Sequence, residues 1–532
     1  MLRITLTTTL SLLRTLMAFL QWLMESFQPL SLFVACIIFL VSLKFFLKEK
    51  SAGKRNSNLP PSPPKLPIIG NLHQLGSMPH LSLKCLAEKF GPIIHLQLGQ
   101  IPTVVISSAK LAKETIKTHD LVLSSRPQFF SAKHILYGCT DIAFSPYGDY
   151  WRHVRKICVL ELLSAKRVQS YRLVREEEVA RLVHRVADSY PSTTNLTKML
   201  RLYANDVLCR VVFGRDFSGG GEYDRHGFHQ MLEEFQVLLG GFSLADFFPS
   251  MEFVNSLTGR KSRLQKTFRS FDKLFDQLLS EHLNPERETE EHKDLVDVLL
   301  DIQKNGSGDL PITMDNIKAI ILDMFTAGSD TASITLEWGM TELILNPKVM
   351  EIAQAEIRNI VGDHRSVVLE SDLPHLHYIK AVIKEILRFH PPAPVLVPRE
   401  STEDVNIERY DIPAKTRFFF NAWAIGRDSE SWENPDTFQP ERFMGSTLDF
   451  KGQHFELIPF GAGRRICPGI TFGTAVIELA LAQLLHSFDW YLPPGTTAEN
   501  FDMKEVFGIT THRISDLTLI ARLRFPVGQN KP

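Results

Sequence analysis

Apolar residues recur at three- and four-residue spacing over 168–188, 196–213, 262–282, 313–345, 347–361 and 472–488, the pattern of helices that bury one face. Runs that alternate as strands do are short: 93–98, 102–106 and 416–420, the last reading Thr-Arg-Phe-Phe-Phe. No motif repeats at a fixed period, and no long linker parts two separate cores. The pattern predicts one large domain over 71–526, mainly α with a minor β-sheet region, followed by a tail at 527–532.

The amino end has a different character. Residues 30–47, LSLFVACIIFLVSLKFFL, are almost wholly apolar, and Lys44 has a stem long enough to snorkel to an interface, so they predict one transmembrane anchor. Lys48, Lys50, Lys54 and Arg55 follow it, against Arg3 and Arg14 before it, which places everything downstream in the cytosol by the positive-inside rule. A cleaved signal peptide is the competing reading, and no small-residue cleavage site follows to favour it. Residues 1–23 hold Thr, Leu, two Arg and no acid, as transit segments do; an upstream extension of the reading frame, with Met24 as the start, accounts for them equally well. From 48 to 70 the chain turns polar and then proline-rich, with Pro60, Pro61, Pro63, Pro64 and Pro67 making a semi-rigid hinge that ends at Gly70-Asn71.

Composition removes whole classes. The 532 residues are 44% hydrophobic and 22% charged, a globular balance that excludes disorder and a polytopic membrane protein. With 59 basic against 60 acidic side chains the net charge is −1, and no basic field exists to hold nucleic acid. Six scattered cysteines with no Cys-x-x-Cys pair suit a reducing compartment and exclude a disulfide scaffold or a structural zinc site.

The chemistry concentrates in Phe460-Gly-Ala-Gly463-Arg-Arg465-Ile-Cys467-Pro-Gly469. A cysteine in a Gly-rich loop ahead of a helix has backbone N–H groups aimed at its sulfur, which favours the thiolate. One thiolate cannot build a zinc or iron–sulfur site, but it suffices as the axial ligand of haem iron. Gly463 and Gly469 would permit the turns, Phe460 would shield the sulfur, and Arg465 could pair with a propionate. The partial GxGxxG in this stretch fails as a dinucleotide fingerprint, because Ile466 stands where the third Gly would be.

These positions resemble the haem loop of the cytochromes P-450, and the proline hinge behind one anchor is similar to the plant A-type microsomal enzymes of specialised metabolism; the resemblance spans about residues 60 to 526. It implies haem b with Cys467 as the axial thiolate. It further implies electrons from NADPH through a separate flavoprotein, the cytochrome P-450 reductase, with cytochrome b5 as a further partner. No nicotinamide or flavin motif occurs in this chain, in keeping with an external reductase.

In the segment after Thr313, Ile317, Ile320, Ile321, Met324 and Ala327 form a stripe that Gly328 and Thr331 continue, so Thr331 can bond back to the carbonyl of Ala327. Ala327-Gly-Ser-Asp330-Thr331 resembles the family's oxygen-activation motif, which implies that Asp330 and Thr331 relay protons. Ala332 stands where relatives usually carry another hydroxyl. Glu385 and Arg388 lie at i,i+3 just before Pro391-Pro392, and the resemblance makes them a buried structural network with Arg442. Trp151 and Arg155 lie at i,i+4; they and Arg399 are implied to contact the propionates. Arg152, His153 and Lys156 would suit an acidic electron donor or form a solvated face.

By the same resemblance the pocket is lined by Leu322, Phe325, Ala327, Val395, Leu396, Val397 and Ile509, an apolar set. The resulting expectation is an endoplasmic reticulum monooxygenase, or a plastid one if 1–23 is a transit segment, that adds one oxygen atom from O2 to a hydrophobic metabolite. A terpenoid comes first, then an alkaloid, coumarin or other aromatic scaffold. A haem-thiolate isomerase or dehydratase, and a haem sensor or silent membrane scaffold, are the rivals; neither needs the Asp330–Thr331 pair.

Overall fold

The structure, a computed structural model, describes residues 58–215, 225–241, 243–287, 293–306 and 310–525. The segment at 1–23, the anchor at 30–47, the hinge up to residue 57 and the tail at 527–532 lie outside the described residues. Two units are distinguished, Met1–Asn58 with Leu66–Ile68 and Leu59–Lys65 with Ile69–Pro532; the fold and the site belong to the second.

Its main helices, in chain order, are α1 (Ala109–His119), α2 (Asp149–Ile157), α3 (Arg172–Ala187), α4 (Leu196–Phe213), α5 (Arg225–Gly240), α6 (Arg260–His282), α7 (Met314–Leu345), α8 (Pro347–Val361), α9 (His377–Phe389) and α10 (Ile470–Ser487). The 32 residues of α7 run through the core for about 48 Å. A reciprocal cap starts it, the Thr313 hydroxyl accepting from the Asn316 amide while the Asn316 side chain takes the Thr313 N–H. It stops at Asn346 because Pro347 opens α8. Helices α4, α9 and α10 pack around it, so its buried residues lie on every side rather than on one stripe. Among the described residues α10 alone is long and apolar enough to cross a membrane, and 67% of it is buried within the protein.

The main strands are β1 (Ile93–Leu98), β2 (Ile101–Ile106), β3 (Arg399–Glu400), β4 (Arg417–Phe420), β5 (Phe488–Tyr491), β6 (Glu505–Phe507), β7 (Thr511–Arg513) and β8 (Thr518–Leu523), beside a small hairpin of Val405–Ile407 with Tyr410–Ile412. Four of them form a sheet in the order β1, β2, β4, β3, in which β2 and β4 run parallel with Thr103 opposite Arg417. Strands β6 and β7 form a separate hairpin, and β8 lies between β5 and the two-residue strand Thr194–Asn195.

Helix α4 and strand β1 fall where the pattern places them. The helix expected over 168–188 instead breaks at Tyr171 into Ala165–Ser170 and α3. At the break the Arg175 guanidinium bonds the Val168 carbonyl at 2.7 Å and the Glu370 carboxylate, and the Tyr171 hydroxyl reaches the Lys293 carbonyl. Long-range polar partners, which periodicity does not register, decide the geometry there. Strands β5 to β8 were not foreseen either, being short and separated by loops.

Candidate functional site

The Cys467 loop is shaped by two left-handed glycines, Gly461 at φ 69° and Gly463 at φ 66°. A Cβ on Gly463 would sit 2.6 Å from Asp120 Oδ1 and 2.7 Å from a methyl of Ile116, so this glycine is required for space as well as for its dihedral. The Cys467 N–H donates to the Phe460 carbonyl at 2.9 Å and closes the loop. The Gly469 N–H points at Cys467 Sγ at 3.4 Å, at the head of α10. Burial pushes the thiol pKa up, against a downward pull from that N–H and from Arg155. Phe460 is half-buried and packs at 5.3 Å on Phe450.

Beside this loop four arginines converge from distant parts of the chain. Arg465 donates to the carbonyls of Ser124, Ile142 and Ser145 at 2.6, 3.2 and 2.6 Å and lies over Trp151. Arg399 donates to Asp120 at 2.9 Å and to the Ala462 carbonyl at 2.6 Å. Arg155 donates to the Ile466 carbonyl. The fourth, Arg126, was not singled out from the sequence; it donates to the carbonyls of Ala143, Val397 and Pro398. Nothing local in Ser-Ser-Arg-Pro signals this role, since its partners are 17 to 272 residues away.

The cluster is short of negative charge. Burial and the neighbouring Arg399 and Arg155 drive the Arg465 pKa down to about 9. Burial, then Arg465 and Arg399, push Arg126 well below the ordinary guanidinium value. Asp120 and Asp141 pull the other way. Buried cations that repel one another beside a potential thiolate fit a dianionic, iron-bearing macrocycle: the propionates answer the surplus charge and the sulfur answers the metal.

Behind the cluster two buried carboxyls, Asp141 and Asp323 of α7, face each other. The amides of Ile142 and Ala143 donate to Asp323 Oδ2 at 2.6 and 3.2 Å, and the Phe144 amide donates to Asp141 at 2.8 Å. Burial and the mutual charge raise the Asp323 pKa, so the pair holds a proton at a pH where a free carboxyl would not. Neither residue was singled out from the sequence. An acid in the apolar stripe of a long helix is the signal that was available.

Along α7, Ala327 is exposed and Thr331 half-buried, though the helix on either side is mostly buried; Gly328, also half-buried, faces Leu208, whose methyl lies 3.1 Å from where a Cβ would sit. The Thr331 hydroxyl donates to the Ala327 carbonyl at 2.6 Å. Asp330 accepts from the hydroxyl of Thr510, and burial raises its pKa. Leu322 lies about two and a half turns before Thr331, on the opposite side of the helix. Phe325 stacks on Phe213 at 5.0 Å and meets Phe228 edge-on at 5.1 Å. Both are therefore core residues, a correction to the expected lining: they share the helix with Ala327 but not its face. Val395 is buried, while Leu396, Val397 and Ile509 are half-buried; Leu396, held at φ 53°, comes close to Gly461.

On the far side of α9 the structure brings Glu385, Arg388 and Arg442 together. Arg388 and Glu385 form a bidentate pair with both contacts at 2.7 Å, and Arg442 reaches Glu385 at 3.2 Å. The remaining Arg388 donors take the carbonyls of Gly426, Pro435 and Thr437.

Fold and site together define a haem-thiolate oxidoreductase of the monooxygenase type, and comparison with known proteins agrees. The family model described as Cytochrome P450 matches residues 60–517. "Cytochrome P450 71AP13" of Prunus mume is 73% identical over 96% of this chain and 98% of its own. "Strychnine-11-hydroxylase" of Strychnos nux-vomica is 47% identical over 92% and 97%. "Premnaspirodiene oxygenase" of Hyoscyamus muticus is 44% identical over 94% and 98%. A solved zebra fish cytochrome P450 with abiraterone superposes with a TM-score of 0.72 at 26% identity, covering 84% of this chain and 100% of that one. The chain belongs to the cytochrome P450 family.

Proposed function

We propose that Cys467 is the axial ligand of haem b in this chain and that the enzyme oxidises a hydrophobic specialised metabolite, a terpenoid first. The observation that carries the reading is the charge imbalance: three buried arginines and the half-buried Arg155 beside one Gly-cradled cysteine. Arg126, Arg155, Arg399 and Arg465 would hold the two propionates, with Trp151 as the plate under Arg465. Bound there, the haem supplies the activation of dioxygen that places one oxygen atom on the substrate.

The protein's own part is to exclude water, orient the substrate and move protons. Thr331, back-bonded to Ala327, holds its hydroxyl toward the cavity, and Asp330 one residue earlier is the acid behind it. Ala327, Val395, Leu396, Val397 and Ile509 offer an apolar wall with few polar handles, which supports a terpenoid. The relative named for strychnine supports an alkaloid as the second reading. Electrons would come from NADPH through a membrane-bound reductase, with cytochrome b5 as an accessory donor, at the endoplasmic reticulum. The segment at 30–47 would serve as the anchor.

The test is the carbon monoxide difference spectrum of reduced microsomes. A thiolate-type Soret band that Cys467→Ala abolishes supports the ligand, and terpenoids are then screened with reductase present, followed by alkaloids. A histidine-type band from folded, haem-loaded wild type sinks the assignment.

A further inference from the structure

Helices α4 and α7 pack antiparallel, and two polar clamps join them. At the outer one the Thr197 hydroxyl donates to the buried Glu337 carboxylate and accepts from the Leu517 N–H at 2.8 Å. At the inner one the Ser329 hydroxyl donates to the side-chain carbonyl of Asn205, with both residues buried. The partners stand eight residues apart on each helix, so the two clamps are separated by about 12 Å. Beyond the inner clamp Leu208 fills the space over Gly328, and Phe213 stacks on Phe325.

Ser329 lies two positions after Ala327 and two before Thr331, about 200° around the helix from each. Ala327 and Thr331 share the more open side of α7, so the bond to Asn205 grips the turn from behind. The backbone of this turn is already perturbed. The carbonyls of Ala327, Asp330 and Thr331 accept the hydroxyls of Thr331, Ser333 and Thr335, at 2.6, 2.9 and 2.7 Å. Hydroxyls that bond back in this way compete with the helix ladder and let it bend. The stretch that aims Thr331 is therefore held less firmly by its own main chain, and a side chain from another helix supplies a restraint there.

We propose that Asn205 is a positioning residue for the proton relay: by accepting from Ser329 it fixes the rotation of the α7 turn, and with it the aim of the Thr331 hydroxyl. Asn205 acts through Ser329 and touches no reacting atom. The Thr197–Glu337 clamp holds the same two helices together at a distance from the relay. The inference rests on Thr331 and Asp330 forming that relay. A hydroxyl swung out of line delivers its proton late, and oxygen then leaves as hydrogen peroxide, with two electrons and two protons taken up, instead of as water.

The experiment uses the full chain in microsomes with reductase, and NADPH and dioxygen are the probes. Peroxide released per NADPH oxidised is measured for wild type, Ser329→Ala, Asn205→Leu and the double variant, with the carbon monoxide spectrum of each. Either single variant should raise the peroxide fraction about twofold or more, and the double should match the singles, because all three remove one bond. Hydrogen exchange of the amides at 327–332 in the purified, haem-loaded chain should quicken about tenfold in the same variants, a readout that needs no turnover. Thr197→Val should lower the thermal midpoint and leave the peroxide fraction unchanged. Ser329→Ala puts the best helix former at its position and carries the test alone if Asn205→Leu does not load haem. Thr331→Val separates the two readings. If it raises peroxide while Ser329→Ala and Asn205→Leu alter neither peroxide nor exchange, the positioning role is wrong and the relay stands. Effects that add in the double variant, or an equal rise in Thr197→Val, also overturn the role of this bond. If Thr331→Val itself changes nothing, the relay reading falls and this proposal with it.

Discussion

Arg465 lies 4.0 Å over the ring of Trp151, and both side chains donate to the same carbonyl, that of Ile142, at 3.2 and 3.0 Å. The indole is thus a plate and a spacer at once: it fixes the height of the guanidinium and shares its anchor. Trp151→Phe keeps a ring but loses the N–H and the better cation–π face, a cost of about 1–2 kcal/mol. Thermal loss of the thiolate-type carbon monoxide band should come at lower temperature in this variant, and in Arg465→Gln haem should also dissociate faster to an acceptor globin. An unchanged release rate in Arg465→Gln would remove the arginine from the propionate set.

Two glycines near Cys467 should respond in opposite directions. Gly463→Ala meets Asp120 and Ile116 at under 3 Å with a positive φ, and should cost about 1–3 kcal/mol with poor haem loading. Gly473, inside α10, should gain about 0.5–1 kcal/mol on going to alanine in the haem-free protein, where nothing stands within 4 Å of its Cβ position. Thermal midpoints of the two variants against wild type give the comparison.

Removing one partner from the sealed Glu385–Arg388 pair leaves a buried charge uncompensated, worth about 3–5 kcal/mol. Arg388→Ala should yield no haem-loaded protein. Arg388→Lys keeps the charge but not the fork that also serves Gly426, Pro435 and Thr437, and should fail nearly as badly. Recovery of the carbon monoxide band per unit of expressed protein measures both; a lysine variant at wild-type recovery would mean that charge alone suffices.

The Asp141–Asp323 pair predicts a pH dependence with a definite sign. Because the folded protein raises the Asp323 pKa, the native state binds its proton more tightly than the unfolded chain does. The stability tied to that proton is present at low pH and is lost as pH rises from the ordinary carboxyl value through the folded one. Asp323→Asn has no proton to lose, and its carbonyl oxygen can still accept from Ile142 and Ala143. Its thermal midpoint should gain on wild type as pH goes from 5 to about 8. A gain on acidification instead would reverse the assignment.

Much of this was legible in the residue pattern. The stripe through Ala327 and Thr331 predicts the back-bond seen at 2.6 Å, and the spacing of Glu385 and Arg388 predicts a shared helical face. These are local relations, fixed by helix geometry. Arg126 was illegible because its three carbonyl partners come from two distant segments. Leu322 and Phe325 are expected in the pocket by the resemblance alone; on a helix packed all round apolar residues read alike on every side, and position relative to Thr331 is what sets these two in the core. The break at Tyr171 escaped for the same reason as Arg126: its cause, Arg175 reaching Val168 and Glu370, is a tertiary bond.

The parallel pairing of β2 with β4 sets an order on synthesis. Thr103 and its neighbours leave the ribosome about three hundred residues before Arg417, and until then β2 has no partner on that edge. Cys467 emerges later still. A nascent chain therefore holds an incomplete small sheet and a cation cluster lacking Arg399 and Arg465 for most of its translation, and the haem can be captured only when the polypeptide is nearly complete.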